Sequence, residues 1–535
     1  MGSGRTGSLV VAIASFGMAA ADAAPPKQPP VAPPVLIVPV APPPIAAPPA
    51  PPAPPPVNFG PAPKAAPWPS NFPAGSKEAR DQAKDLRKQR EEWTPICFNR
   101  QPLKAWMIKD MIKGCDMALA LPDDPVSGWV ARGELLHFRA VALINARDYA
   151  NAIDALDEAD ALAKAAPDPL FDLSTGLGNK LLRAFILGRQ GKIAEARALL
   201  AEVRAQRPWS TSMTVSADSI EIGLVPTDFA TPLRLMSARF RIDPDVARAL
   251  TYLYMMNGDL KAAAAMGDRV SLVDPKLQGG WNLGGADSEA DSVQDRVRMD
   301  CAKAYIAAAL GHPAAADSQF AAIGNYIDSY VGTDPRLGGK DSRPSKGDIR
   351  KYMERLAIGT SQRELLADWQ DATAKRLNLP ERSPDALLAR FKGYKHAGDV
   401  LPALIDQMRY MATLVPGAEG AAIKARADSM VMLLTMRMSA LSAQDLGAMM
   451  PKPERLEQIP KFASTASKWL FSDGSGYSQS KELNTDVRTV RYETQVGSKA
   501  MVEEMLLLAA ANYARQEGRD AFVVLSNRTL QRRTT

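Results

Sequence analysis

Few side chains in this chain have the types and spacing to do chemistry. His137, His312 and His396 are its three histidines. Imidazoles serve as metal ligands or general bases only when the fold gathers them with partners, and none of the three sits in a zinc-binding spacing such as H-E-x-x-H. Asp287, Glu289, Asp291 and Asp295 could offer oxygens to a hard cation, but the run lacks the glycine and twelfth-position glutamate of an EF-hand loop. Acidic residues are also favoured at a helix N-terminus, and that is the reading preferred for this run. Met408, Met411, Met430, Met432, Met436 and Met438 could bind cuprous copper through their thioethers. They alternate with leucine and valine as core-filling methionines do, so packing is the expectation. Gly279 to Gly285 is glycine-rich but lacks the lysine and helix start that cradle phosphate, which leaves an insertion loop. No nucleophile elbow, phosphate loop or dinucleotide fingerprint is present, and no catalytic residue, cofactor or metal is assigned.

The three cysteines bear on compartment. The chain opens with Arg5, an apolar run from Ser8 to Ala20 and the small residues Ala21-Asp22-Ala23, the three-part layout of a secretory signal over 1–23. The run is too short to span a bilayer as a helix, so cleavage before Ala24 is expected, with no stable membrane insertion afterwards. In an oxidising compartment Cys97 and Cys115 are the natural disulfide pair, closing a loop of a size worth about 3 kcal/mol. Cys301, on a helical apolar stripe, reads as a buried free thiol. The net charge of +6 is mild for 535 residues. Lysine and arginine are spread along the chain without a basic stripe interleaved with aromatics, which argues against nucleic acid as a partner.

Composition then divides the chain. Positions 25 to 73 hold 22 of the 43 prolines, so 24–76 is predicted to be a disordered linker rich in polyproline II. From Ser76 the text turns to alanine, leucine and charged residues at helical spacing, and within it one pattern recurs four times. A helix carrying a small residue is followed by a short turn and a second helix with small, large and medium residues. The first copy has Ala140, then Ala152, Leu156 and Ala159; the second has Ala184, then Ala196, Leu200 and Val203. The third has Thr251, then Ala263, Gly267 and Val270; the fourth has Ala304, then Ala316, Phe320 and Ile323. The turns read Arg147-Asp148-Tyr149, Gly191-Lys192-Ile193, Gly258-Asp259-Leu260 and Gly311-His312-Pro313, and Pro208 and Pro275 close two copies. A weaker fifth copy is placed around Gly398-Asp399-Val400 and Ala403.

This pattern resembles the tetratricopeptide repeat over Leu135 to about Tyr326. The resemblance implies small residues where paired helices approach, a larger one between pairs, and an extended surface for a protein or peptide. The key alanines are 44, 67 and 53 residues apart instead of the strict 34, so an irregular array is expected. The predicted fold is mainly α: an irregular helical array of α-solenoid type over 77–335, a second helical region over 336–470 after the Gly/Pro break at 332–345, and a small α+β piece over 471–535. In that piece Thr485 to Val496 reads as a strand, Ser498 to Glu517 as a helix with Met501, Met505 and Leu508 inward, and Ala521 to Leu525 as a buried strand. Its helix and second strand are similar to a small module of some proteobacterial envelope lipoproteins. There the sheet continues, whereas the sequence here stops at Thr535, so an incomplete copy of that module is the expectation.

Together these readings predict an exported, non-enzymatic scaffold that binds a protein or peptide in the bacterial periplasm or outside the cell. A proline-rich envelope tether is the second reading; its layout would resemble the energy-coupling proteins of bacterial inner membranes if the signal stayed as an anchor. The third is an enzyme with a site assembled from distant residues.

Overall fold

The structure is a computed structural model and describes residues 5–14, 58–67, 76–98, 105–122, 128–165, 170–224, 229–270, 286–337, 344–378, 383–439, 446–447, 449–451, 454, 459–460, 462–464, 476–481, 487–494 and 496–533. The chain is mainly helical. Strand β1 (Arg5–Ala14) comes first, then α1 (Lys77–Cys97), α2 (Ala105–Ala120), α3 (Gly128–Asn145), α4 (Tyr149–Ala165), α5 (Thr175–Arg189) and α6 (Ile193–Gln206). They continue as α7 (Thr211–Leu224), α8 (Ala230–Arg239), α9 (Ala247–Asn257), α10 (Leu260–Gly267), α11 (Ala286–Ala309) and α12 (Pro313–Val331). Next come α13 (Lys346–Leu377), α14 (Pro384–Lys392), α15 (Ala397–Leu414) and α16 (Gly417–Ser439), and the end piece holds β2 (Gly476–Lys481), β3 (Val487–Thr494), α17 (Lys499–Gln516) and β4 (Val523–Arg533).

The four recurring segments are four helical hairpins, α3/α4, α5/α6, α9/α10 and α11/α12, and their turns share one geometry. Each places a residue in the left-handed region: Arg147 at φ 63°, Gly191 at 78°, Gly258 at 82° and Gly311 at 93°. In every turn that residue donates its N–H three residues back, and the next donates five back, as Asp148 does to Leu143 at 2.9 Å and His312 to Ala307 at 3.0 Å. These bonds satisfy the last carbonyls of the first helix and reverse the chain. The N–H of Ala152, Ala196, Ala263 and Ala316 then closes the first turn of each second helix. Glycine takes the left-handed conformation without a Cβ penalty; Arg147 takes it against one.

The packing residues named for these hairpins are buried at the helix contacts, with one exception. Val270 lies three residues past the end of α10 and is half-buried, because α10 stops at Gly267 after eight residues. Gly267 itself is a close approach, since a Cβ there would meet Cγ of Lys303 at 3.2 Å. The proposed fifth turn is also corrected: Gly398, Asp399 and Val400 lie inside α15, and the chain reverses earlier, between Gly393 and His396. Pro275 and the glycine-rich 279–285 lie outside the described residues.

Two apolar cores run through the helical part. One gathers residues of α1 to α7 and is closed by Leu446, Met450 and Ala500; the other runs from Ile222 to Val431. The second core is continuous across position 335, where α13 packs on both α11 and α12, so the Gly/Pro break there is a connection within one packed body. Cys97 and Cys115 are joined, with Cα atoms 4.6 Å apart, and tie the end of α1 to α2.

The linker expectation needs correction at its end. Residues 58–67 lie on the helical body, where buried arginines hold their backbone carbonyls. Arg139 donates to the carbonyl oxygens of Gly60 (2.9 Å) and Pro61 (3.2 Å), Arg132 donates to that of Pro63 (2.9 Å), and the N–H of Phe59 donates to Asp148 (2.9 Å). Residues 24–57 and 68–75 lie outside the described residues.

The end sheet has the order β2-β3-β1-β4, with every neighbouring pair antiparallel. The strand between β3 and β4 is thus Arg5–Ala14, from the segment read as the signal's apolar run. Helix α17 lies against this sheet over Val490 and Tyr492, both fully buried. β4 reaches Arg533, well beyond the short strand expected, and starts exposed at Val523.

Candidate functional site

The site is built where the end piece docks on the first helical core. Helix α6 ends at Gln206, and Arg207, Pro208 and Trp209 turn the chain into α7, with Ser210 accepting the N–H of Met213 at 3.2 Å. Ser498 caps α17 in the same way, accepting from Met501 at 3.1 Å. Arg207 is 4 % exposed and donates from Nε and Nη2 to the two carboxyl oxygens of Glu504, at 2.9 and 2.6 Å, while its third nitrogen, Nη1, reaches Glu454 at 2.7 Å and the carbonyl of Leu173 at 2.9 Å. Glu503, also buried, accepts from the N–H of Ser212 (2.9 Å) and from the hydroxyls of Ser210 (3.0 Å) and Ser212 (2.8 Å). Burial pushes the Glu454 carboxyl above the ordinary range despite Arg207 and its contact with Ser498. Burial alone would lower Arg207; the carboxylates outweigh it and hold it fully charged.

Fixing Glu504 and Arg207 in this way leaves Trp209 facing the outer side of α17, and a cleft of about 840 Å³ opens between them. Its walls are apolar: Trp209, Ile242, Leu507, Leu508 and Phe522. Trp209 is 61 % and Leu508 47 % exposed, so large apolar surface stands open to water. Leu508 was expected inward; α17 instead turns Val502, Leu506, Ala509 and Tyr513 to its sheet and leaves Leu508 on the other face. Arg241, Arg515 and Arg519 stand around the cleft with Glu504 and Asp520. An open apolar cleft with guanidinium groups at its rim can hold an apolar side chain while pairing with carboxylates beside it.

The chemistry-bearing residues singled out in the sequence lie elsewhere. His137 is buried and bonded to Asn179 at 2.8 Å; His312 immediately precedes α12; His396 immediately precedes α15, where its backbone N–H donates to Asp368 at 2.8 Å. Asp291 and Asp295 lie inside α11, in its second and third turns and past the N-terminal turn expected for them, and Asp295 pairs with Arg248. Met408 and Met411 are fully buried in the second core, with Met430 against it. Cys301 is buried there too, and burial pushes its thiol far up. Among the described residues no group of three or more His, Cys, Asp or Glu is placed to hold a metal ion, and no helix is long and apolar enough to cross a membrane. Trp209 went unremarked because a lone tryptophan after a helix-closing proline follows no pattern, and Arg207 meets Glu454 and Glu504 across 247 and 297 residues. No protein-family model matches the chain, and no curated protein and no solved structure matches it either.

Proposed function

We propose that this protein is an exported scaffold of the tetratricopeptide-like kind that binds a protein or peptide partner in the bacterial envelope, using the cleft at Trp209. The observation that carries the reading is the exposure of Trp209 and Leu508 within one apolar cleft ringed by arginines. Buried aromatic anchors and arginines dominate binding at protein interfaces, and this cleft presents both. The partner's matching chemistry is an apolar side chain flanked by acidic residues. Four hairpins with a shared turn support the helical-repeat part of the reading, and the Cys97–Cys115 disulfide suits an oxidising compartment outside the cytosol. A second reading, in which the N-terminus is kept as part of the fold, has the pairing of Arg5–Ala14 in the end sheet in its favour.

A photo-crosslinking amino acid at position 209, in the native host, tests the proposal. One recurrent envelope protein should be captured there and not from position 337, which is exposed and outside the cleft. With that partner purified, Trp209→Ala should weaken binding by about thirtyfold, the scale of an aromatic hot spot. Equal capture at both positions, or unchanged affinity of the variant, would overturn the assignment.

A further inference from the structure

The end sheet is assembled from two parts of the chain far apart in sequence. β3 and β4 are each antiparallel to β1, so they run parallel to one another with one strand's width between them. β1 fills this lane with Gly7–Ala14 paired to β3 and Arg5–Ala14 paired to β4. Among the described residues β4 has no other strand beside it; it packs against the 3-10 turn at Pro244–Val246 and, at Val524, against the end-piece core. The segment that completes this sheet is the one that signal cleavage before Ala24 would remove. Two facing edges of unpaired N–H and C=O groups would then line a lane above α17, and such edges are ready to pair with another chain.

We propose that this lane is a strand-acceptor slot: Arg5–Ala14 fills it in the full chain, and once that segment is removed the slot takes an extended, acidic and apolar segment of another protein. The proposal rests on the export reading above. The register states what the slot selects. Leu9 and Val11 stand opposite Tyr492 and Val490, which are buried over α17, so those two positions suit apolar residues. Val10 stands between Arg491 on β3 and Arg528 on β4, and Arg5 and Thr6 stand opposite Arg533 and Arg532. Arg491 already pairs with Glu493, so the surplus of positive charge along the lane comes from Arg528, Arg532 and Arg533 of β4. Like charges directly opposite destabilise a strand pair and opposite charges stabilise it, so Arg5–Ala14 is a replaceable occupant and an acidic strand is a better one.

The test uses the chain beginning at Ala24 and a labelled synthetic peptide of the sequence Arg5–Ala14, followed by fluorescence anisotropy. Saturable one-to-one binding is expected. A Val10→Glu peptide should bind about fivefold tighter at low salt, with the gain shrinking as salt is added, since it places a carboxylate between positions 491 and 528, both arginine, where valine brings no charge. A Val11→Pro peptide, which lacks a ladder donor, should not bind. The full chain should take up no peptide until a protease site engineered after Ala23 is cut; this second route covers the case in which the shortened chain does not fold. Binding of the proline peptide as well as the parent, or no uptake by either shortened or cut chain, would sink the slot. Sequencing the N-terminus of protein from its host decides the cleavage separately, so a retained Met1 would overturn cleavage before Ala24 and favour the tether, while leaving the peptide result to judge the slot.

Discussion

Asp218, on α7, shows how burial outweighs pairing at a single residue. It lies within 2.9 Å of Arg204 and 3.5 Å of Arg239, yet burial pushes its carboxyl up to about 6, and Glu221 adds to the rise. A carboxyl whose folded-state value is raised keeps its proton in the folded chain after the unfolded chain has lost it. Between about pH 4 and 6 the folded state therefore binds more protons, and stability falls as pH rises through that window. Asp218→Asn removes this contribution and should flatten the slope by on the order of 1 kcal/mol per pH unit. The absolute stability of the variant reflects lost ion pairs as well, so the slope is the diagnostic quantity. Denaturant melts at several pH values from 4 to 7 check it, and parallel slopes for the two proteins would contradict the assignment. Asp406 sits in a similar environment in the second core, held by Tyr305 at 2.7 Å and Arg376 at 3.0 Å, and its carboxyl is likewise raised by burial.

At the scale of elements, the α1/α2 hairpin depends on contacts that only two small or bonded positions permit. Gly114 lets α1 approach so closely that a Cβ there would meet Cγ2 of Ile96 at 2.7 Å, and the neighbouring Cys97–Cys115 bond closes the pair. Constraining an unfolded loop of this size is worth about 3 kcal/mol, so Cys115→Ser should lose about that much. Reductant should bring the wild type to the variant's level and leave the variant unmoved; a wild type indifferent to reductant would show that the bond carries no stability. The Cys97–Cys115 pairing was legible in the sequence because two cysteines so close along the chain are the natural pair in the oxidising compartment expected for it; that they join two paired helices was not. The four other turns were legible because glycine marks three of them and the fourth shares their offsets. Gly398 misled because a glycine before an acidic residue reads as a turn, whereas here it sits in the first turn of α15. The docked stretch 58–67 was hidden for a physical reason: its binding groups are backbone carbonyls, which leave no side-chain signature. Arg5–Ala14 was ambiguous because a short run of valine, isoleucine and alanine suits a signal and a strand equally well.

At the scale of the molecule, one buried charged cluster lies at the joint between the helical body and the end piece. Arg207 from the helical body meets Glu504 of α17 and Glu454 ahead of the end piece, and this cation sets the wall from which Trp209 and the cleft project. Buried charges contribute little net stability when paired, but removing one partner strands the others without water. Arg207→Ala should therefore cost about 3 to 5 kcal/mol, falling mainly on the docking of the end piece. Calorimetry should then resolve an early transition, and hydrogen exchange should locate it in 499–516 while α9 to α13 stay protected. Arg207→Lys keeps the charge but cannot present two parallel donors to Glu504, so its loss should fall between those of wild type and Arg207→Ala. Because the cleft is a product of this docking, binding of the partner proposed for Trp209 should weaken in the same order. A single unfolding transition in all three proteins, or loss of partner binding without loss of docking, would show that the body and the end piece are held together by something other than this cation.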